Sequence, residues 1–323
     1  MTLARRSLLA AAGTAMAAPA LAQAAFPDRP VRLVIAFPPG GPTDLLGRFL
    51  GQRLSALWNQ PVVIENRPGA SGTIGSNQVA RAAPDGTTLV FANNATHGAV
   101  EQLNPHGTPY RTLTDFTPVA LMGIAPLVMM VRASLEARDA RGFVDLARTQ
   151  PGRISYASAA IGSAPHIASE LLAMTAGIQM LHVPFNGAAP AVQAVISDTV
   201  DMYMGGVSTI RPVVQTGRAR ALGVVYGSRL RSWPEVPTLK EQGIDVEYDS
   251  WYGLLGPAGI PAPLLAQLNQ AVNTVLQGDE VRERLESFGV ERRLGPPEGL
   301  TAVIRGEMER TAALIRAGAL KAE

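Results

Sequence analysis

The sequence has 323 residues, enough for two domains of ordinary size and a sizeable core. Hydrophobic residues make up 47% of the chain and charged residues 17%, which excludes a disordered chain and a coiled coil. No cysteine is present, so a disulfide scaffold, a thiolate metal site and a cysteine nucleophile are excluded as well. The formal net charge of +2 does not by itself indicate a nucleic-acid partner, because charge acts where it is located.

The first 24 residues have the pattern of a cleaved secretory leader. Arg5 and Arg6 precede a short apolar stretch that reaches Ala18, and small residues suited to cleavage follow up to Ala24. The apolar stretch is too short for a membrane-spanning helix. We expect export through the general secretory route, and the paired arginines leave a twin-arginine route open. Removal of the leader takes two of the 28 basic residues, which leaves 26 against 26 acidic residues and a neutral mature chain.

The first part of the mature chain alternates between predicted strands and helices. An apolar run at 31–37 predicts a buried strand, and a Pro/Gly-rich loop at 38–44 separates it from a helix at 45–58. A strand at 61–65, a glycine-rich loop at 66–75, a helix at 78–82 and a strand at 88–92 follow. This β-α-β-α-β order favours a parallel, doubly wound sheet.

The rhythm restarts after Pro118 and continues to the end of the chain. Strands are predicted at 127–131, 154–157, 179–183, 202–204, 221–225 and 249–255, and helices at 140–148, 165–175, 189–196 and 212–216. Two further helices, at 263–276 and 279–288, have no strands of their own to cover. We therefore expect the C-terminal helices to pack on the first domain, so that the chain crosses between domains twice.

Eleven short motifs, in order along the mature chain, resemble the solute-binding proteins of tripartite tricarboxylate transporters, the Bug family. Each motif is weak alone, and their common order is specific. They are FPDRP at 26–30, FPPGGPTD at 37–44, VVIENRPGASG at 62–72, PDG at 84–86, DFTPV at 115–119, YAS at 156–158, Gly162-Ser163 with His166, HVPF at 182–185, VPT at 236–238, WYGL at 251–254 and PAG at 257–259. Phe185-Asn186-Gly187 and Ala160 depart from the usual pattern of the family.

The resemblance implies an α/β protein with the two-lobed periplasmic-binding-protein fold, which closes on its ligand like a flytrap. Each lobe is expected to be a sheet flanked by helices, and two crossover strands are expected to form the hinge. Crossings near 119–131 and 248–255 give one lobe of residues 25–124 plus 250–323 and another of residues 125–249.

Ligands of doubly wound sheets bind beyond the carboxyl ends of the strands, so the loops that follow strands supply the candidate site. In the first lobe, glycines let the backbone approach a ligand, and free amides at a helix start attract an anion. Thr43 and Asp44 also suit the helix N-cap, which leaves a purely structural role open. The candidates from this lobe are Phe37, Pro39, Gly40, Gly41, Thr43, Asp44 and Thr96.

The second lobe offers a matching set of loops. The segment 158–163 lies between a predicted strand and a predicted helix, and its hydroxyls and amides suit a second carboxylate, although Ser163 also suits a plain N-cap. The segment after the strand at 179–183 adds an apolar wall and an amide. The candidates from this lobe are Ser158, Gly162, Ser163, Phe185 and Asn186.

Catalytic sites find little support in the sequence. His97, His106, His166 and His182 have no metal-ligand spacing, and the two lysines, Lys240 and Lys321, lie outside any P-loop pattern. No Gly-x-Ser-x-Gly elbow occurs, and the glycines at 69–75 are separated from the preceding strand by Asn66-Arg67-Pro68. We therefore expect no enzyme activity, no cofactor and no metal site.

We expect a monomeric periplasmic protein that captures a small carboxylate between its lobes and delivers it to a membrane transporter. The ligand class stays open among mono-, di- and tricarboxylates, amino acids and aromatic acids. A periplasmic sensor that signals to a membrane kinase is an alternative, and a hydrolase that uses the same cleft is a remote one. No nucleic-acid partner is expected.

Overall fold

The computed structural model describes residues 26–322. The leader predicted at residues 1–24 lies outside the described residues. The strands are β1 Val31–Ile35, β2 Val62–Asn66, β3 Thr88–Asn93, β4 Phe116–Arg132, β5 Ser155–Ser158, β6 Leu181–Pro184, β7 Met202–Gly206, β8 Ala219–Val225, β9 Asp249–Pro257 and β10 Glu291–Arg292.

The α-helices cover both faces of the strands. They are α1 Pro42–Trp58, α2 Thr73–Ala80, α3 Val100–Leu103, α4 Thr112–Asp115, α5 Ala140–Thr149, α6 Ala164–Ala176, α7 Ala188–Ile196, α8 Val207–Gln215, α9 Ala262–Gln277, α10 Asp279–Ser287 and α11 Pro297–Arg316. A π-helical turn, Asn94–Ala99, connects β3 to α3. None of the helices in residues 26–322 is both long and apolar enough to cross a membrane.

The strands form two mixed sheets that share β4. In sheet A the order is β2-β1-β3-β9-β4, with β1 parallel to β2 and β3, and with β9 antiparallel to both β3 and β4. In sheet B, β7 and β8 run antiparallel to β4, while β5 runs parallel to β6 and β7. The protein therefore has the two-lobed α/β fold, and the sheets are mixed rather than purely parallel.

Strand β4 passes from one sheet into the other without a break. Its residues 116–126 pair with β9 in sheet A, and its residues 127–132 pair with β7 and β8 in sheet B. The chain returns at Tyr248, whose amide donates to the Val225 carbonyl just before β9 begins. These two passages lie near the predicted crossings, and the exact lobe boundaries at 124 and 250 stay a prediction.

Helices pack on both faces of each sheet, and this buries apolar side chains that would otherwise contact water. In sheet A, α1, α9 and α10 share one core cluster with β1 and β3, and α11 joins a cluster on the other face. In sheet B, α5 and α6 cover one face, and α7 and α8 cover the other. The C-terminal helices thus add to the core around sheet A.

Several elements differ from the sequence prediction, among them β4, which begins at Phe116 rather than at 127, and the unpredicted short elements α3, α4 and β10. Helix α2 begins at Thr73 rather than at 78, and α8 begins at Val207 rather than at 212, with Pro212 inside the helix. Helix α11 was not predicted at all. Its buried stripe Leu300, Ile304, Glu307, Thr311 and Leu314 has helical spacing, but two polar side chains interrupt the apolar pattern.

Candidate functional site

A cavity between the two sheets encloses about 630 Å³, including its open mouth. The lining residues are Phe37, Pro38, Pro39, Gly41, Pro42, Thr43, Asn93, Asn94, Ala95, Leu127, Ala159, Ser163, Ala164, Pro165, Gly187, Ala188, Ala189, Pro190, Tyr203, Gly205, Gly206, Ser250 and Tyr252. Among the described residues, none of those that line it carries a formal charge.

Four helices begin at this cavity, one on the side of sheet A and three on the side of sheet B. The N-cap residues of α1, α6, α7 and α8 are Gly41, Ser163, Gly187 and Gly206, and all four line the cavity. The π-helical turn after β3 starts here too, with Asn93 as its N-cap. The first amides of a helix have no intrahelical acceptor, and the helix dipole is positive at this end. The cavity is therefore electropositive without any lysine or arginine in its lining.

The loop before α1 is held in place by the buried carboxylate of Asp44. It accepts hydrogen bonds from the Gly40 amide at 3.0 Å, from the Asn66 side chain at 2.8 Å and from Arg48 Nε at 3.0 Å. Burial raises the pKa of Asp44, but these hydrogen bonds and the Arg48 charge outweigh it, so the pKa lies below its usual value. The carboxylate thus uses its oxygens to hold the loop and is not part of the cavity lining.

Thr43 presents a hydroxyl group that is partly used inside the protein. The Asn93 side-chain amide donates to Thr43 Oγ1 at 3.1 Å, so the hydroxyl proton remains available to an acceptor in the cavity. The side-chain oxygen of Asn93 accepts from the amides of Ala95 and Thr96. This pair fixes the start of the π-helical turn against the start of α1.

Asn94 links the cavity to the buried side of α11. Its side-chain oxygen accepts from the Trp251 amide at 2.9 Å, and its amide group donates to the Asp249 carbonyl at 3.2 Å. The same amide lies 3.4 Å from the Tyr248 hydroxyl, which in turn donates to Glu307 of α11. Burial raises the pKa of Glu307, partly offset by the Tyr248 hydrogen bond and the Arg310 charge. Sequence reasoning missed Glu307 because it lies on the unpredicted helix.

The second-lobe loop is closed by its own hydrogen bonds. Ser163 Oγ donates to the Ala160 carbonyl at 2.7 Å, and the Gly162 amide donates to His166 Nδ1 at 3.1 Å. Ser158 Oγ lies 2.7 Å from His182 Nε2. Ala160 is absent from the positive-φ residues of the described chain, so glycine is not required there.

The structure brings together five of the twelve residues predicted for the site. Phe37, Pro39, Gly41, Thr43 and Ser163 line the cavity. Gly40, Asp44, Thr96, Ser158, Gly162, Phe185 and Asn186 do not. Thr96 and Ser158 are fully buried and hydrogen-bonded internally, Phe185 packs partly against the core of sheet B, and Asn186 is exposed. Which of the twelve touch a ligand stays a prediction.

Sequence reasoning missed the part of the lining that comes from the strands themselves. Leu127, Tyr203, Ser250 and Tyr252 lie on β4, β7 and β9, not on loops that follow strands. Burial raises the pKa of Tyr252 to about 12, with a small opposing effect of Ser250, and the phenol is therefore a neutral hydrogen-bonding group at neutral pH. Within residues 26–322, no group of three or more His, Asp or Glu side chains is arranged to hold a metal ion.

The sequence of this chain matches the sequence model of a protein family, the tripartite tricarboxylate transporter family receptor, over residues 46–320. The chain belongs to this receptor family. Among its relatives, a family protein from Pseudomonas sp. strain P51, described as the UPF0065 protein in the tcbD-tcbE intergenic region, is 38% identical, covering 90% of this chain and 87% of the relative.

Two solved structures of similar receptors carry carboxylates. Rpa4515 of R. palustris with adipate is 30% identical with a TM-score of 0.87, covering 90% of this chain and 97% of that one. MatC (Rpa3494) from Rhodopseudomonas palustris with bound malate is 33% identical with a TM-score of 0.83, covering 90% and 100%. The protein described here is thus a solute-binding protein. Its family is periplasmic and works with a membrane transporter.

Proposed function

We propose that the protein captures a small carboxylate, and specifically a short dicarboxylate, in the cavity and delivers it to a membrane transporter. One observation supports this most strongly: helix N-termini from both sides of the protein converge on a cavity whose described lining has no charged side chain. Amide donors on opposite walls suit a ligand with an anionic group at each end. The adipate and malate in the two similar receptors have this form.

The energies of such contacts are sufficient for transport-level affinity. A micromolar dissociation constant corresponds to about −8 kcal/mol. A hydrogen bond to a charged group contributes about 1.5–3 kcal/mol, and a helix N-terminus about 0.3–2 kcal/mol. Three to five amide or hydroxyl donors for each carboxylate, with Phe37 and Leu127 as apolar contacts, therefore exceed this value enough to offset the entropic cost of association.

A binding role is also favoured over a hydrolase. Two serines, Ser163 and Ser250, line the cavity, and no histidine is among the described lining residues. Ser163 donates its hydroxyl proton to a main-chain carbonyl. Neither serine therefore has the imidazole base that a nucleophile needs. Ser158, which does pair with His182, is fully buried and outside the lining. We therefore propose that the protein is not an enzyme. We also propose that residues 1–24 direct its export and that the mature protein is a monomer.

Thermal unfolding with a ligand panel tests the proposed ligand class. Malate, succinate and adipate should raise Tm, because a ligand at 100 times its Kd stabilises the folded state by about 2.7 kcal/mol. The matched controls are succinamide and adipamide, which keep the carbon chain and remove both charges. Equal stabilisation by the diamides, or no stabilisation by any of the three dicarboxylates, would contradict the proposal.

A further inference from the structure

A second groove, rich in arginine, lies where three segments of the chain meet. The segments are 228–232, which follows β8, the end of α10, and 289–293, which includes β10. The groove encloses about 1,000 Å³ including its open side. We call it the arginine groove, and its lining residues are Ser228, Arg229, Leu230, Arg231, Ser232, Arg282, Glu286, Gly289, Val290, Glu291, Arg292 and Arg293.

The arginine groove has an excess of positive charge, with five arginines against two glutamates. Two of the arginines have close ion pairs: Arg229 with Glu241 at 3.0 Å, and Arg293 with Glu291 at 3.1 Å. The whole sequence has 28 basic and 26 acidic residues, so this excess is local to the groove.

The remaining arginines are poorly neutralised. Arg231 is exposed and has no hydrogen bond or ion pair within residues 26–322. Arg292 donates to the main-chain carbonyls of Leu276 and Gln277 at the end of α9, so its charge faces no carboxylate within 4 Å in the described chain. Arg282 reaches its acidic neighbours only at 3.5 and 3.6 Å. Guanidinium groups in this state are available to pair with carboxylates from outside the molecule.

The groove also joins the two sides of the protein. Segment 228–232 continues from β8 of sheet B, whereas β10 pairs with residues 123–124 of β4 in sheet A. Gly289 packs closely against Val207, the residue after the cavity-lining Gly206. A movement of one sheet relative to the other would therefore change the width of the groove and the spacing of its arginines.

We propose that the arginine groove binds an acidic peptide segment of the membrane protein that receives the ligand. An extended peptide fits better than a small anion, because the guanidinium groups are distributed over three chain segments. Side chains on one face of an extended strand recur about every 6.8 Å, so successive carboxylates can reach successive arginines. Because the groove spans both sheets, its affinity for the segment depends on whether the protein has closed on its ligand. The identity of the partner and this dependence rest on the proposed function, whereas the affinity of the groove for an acidic peptide does not.

Fluorescence anisotropy with a labelled peptide of alternating aspartate and serine tests the peptide site. Arg231→Glu should weaken binding by about tenfold or more, because it replaces an unpaired cation by an anion without removing any described contact. The matched control is Arg153→Glu, at an exposed arginine outside the groove, and a peptide with asparagine in place of aspartate should not bind. Equal weakening by both variants would show that only the net charge of the protein affects binding, and it would overturn the proposal. Displacement of the peptide by inorganic phosphate at an equal concentration of anionic groups would instead make the groove a small-anion site and would overturn it too.

The coupling is tested by repeating the titration with saturating adipate or malate. We expect the peptide Kd to change at least fivefold, with the reciprocal change in carboxylate affinity that linkage requires. An unchanged peptide Kd under saturation would overturn the coupling. If neither carboxylate binds, the proposed function fails, while the peptide titration without ligand still decides the site.

Discussion

Asp44 contributes to the cavity through the backbone that it holds rather than through direct contact. A carboxylate at the start of α1 could face the ligand, where it would repel an anion. Instead, it accepts a hydrogen bond from the Gly40 amide, and Arg48 balances its charge. Gly40 has a φ of +91°, a conformation that side-chain-bearing residues rarely adopt, so the loop needs both this glycine and its acceptor. The amides after Gly41 are thereby left free to face the cavity.

Gly41 is the residue at which a substitution separates ligand binding from folding. Its φ of −85° is open to any residue, so a side chain there does not strain the loop. A methyl group at Gly41 would lie 3.9 Å from Ala188 Cβ on the opposite wall, which is ordinary contact. Gly41→Val places branched methyl groups in that narrow gap, and overpacking of this kind costs about 1–3 kcal/mol. We expect calorimetric titration with malate or adipate to show a Kd raised about 5- to 150-fold, with Tm of the unliganded protein nearly unchanged.

Two controls accompany this variant. Gly41→Ala should bind almost as the wild type does, because its methyl group makes only ordinary contact. Gly299→Val introduces the same side chain at an exposed helical position with open space around it, and should leave binding intact. Wild-type affinity in Gly41→Val would show that this wall does not approach the ligand.

At the scale of elements, the convergence of helix starts could be predicted, but its full extent could not. The sequence indicates the starts of α1 and α6 through the Gly-Pro and Ser-Ala-Pro patterns at 41–42 and 163–165. The start of α8 was misplaced, because Pro212 suggests a first turn although the helix already begins five residues earlier. The lining residues Leu127, Ser250 and Tyr252 were missed because β4 and β9 run antiparallel to their neighbours. The rule about carboxyl ends of parallel strands therefore does not apply to them.

The loop before α6 is hydrogen-bonded to one of two stacked imidazole rings. His166 and His182 lie face to face with centroids 4.1 Å apart, and Tyr156 stacks on His182 at 4.8 Å. Burial lowers the pKa of His166 to about 3, with a further contribution from His182, and lowers the pKa of His182 to about 4. Burial also lowers the pKa of His97 to about 3 in an aromatic cluster near α3. All three rings are therefore neutral in the folded protein at neutral pH.

Acid should destabilise the protein well before most carboxylates titrate. The unfolded chain binds protons on these histidines below about pH 6.5, while the folded protein cannot until the pH falls toward 4. Their contribution to stability is therefore complete above pH 6.5 and is lost as the pH falls. In this range, each of these histidines lowers the free energy of unfolding by up to about 1.4 kcal/mol for each pH unit that the pH falls. Urea unfolding at pH 6.5 and pH 5 should show the loss.

His166→Gln and His106→Gln separate this effect from general acid sensitivity. The first keeps an acceptor for the Gly162 amide and removes a buried titrating ring, so the dependence on pH should flatten. The second changes an exposed histidine and should leave the slope as in the wild type. Parallel slopes in all three proteins between pH 6.5 and pH 5 would rule out the buried histidines as the cause.

At the scale of the whole molecule, the alternation of elements predicted an α/β chain with parallel strands, and the family resemblance implied the two lobes, whereas the mixed sheets were not predicted. The parallel direction of β1, β2 and β3 follows from helical connections between consecutive strands. Strand β4 reaches its partner β9 only after more than a hundred residues, and local sequence carries no signal for such distant pairing. Burial of polar Glu307 and Thr311 against β-strands depends equally on distant contacts.

The two sides of the protein lie close together across the cavity in this structure. A methyl group at Gly187 would lie 3.5 Å from Pro38 Cδ, and the start of α1 faces the start of α7 across a similar gap. The helix starts bring partial positive charges toward one another, which is unfavourable without an anion between them. We therefore expect the unliganded protein in solution to open, and a bound dicarboxylate to stabilise the closed form, because it contacts both walls only when they are close.

Small-angle X-ray scattering measures this closure directly. Saturating malate or adipate should lower the radius of gyration and bring the profile to the one calculated from residues 26–322 of this structure, for a protein whose leader has been removed. Gly41→Val provides the internal control, because its branched methyl groups should keep the walls apart even at ligand concentrations that saturate this variant. Superimposable wild-type profiles with and without saturating ligand would show that the protein binds without closing. The helix starts would then have to be held together by the core of the two sheets alone.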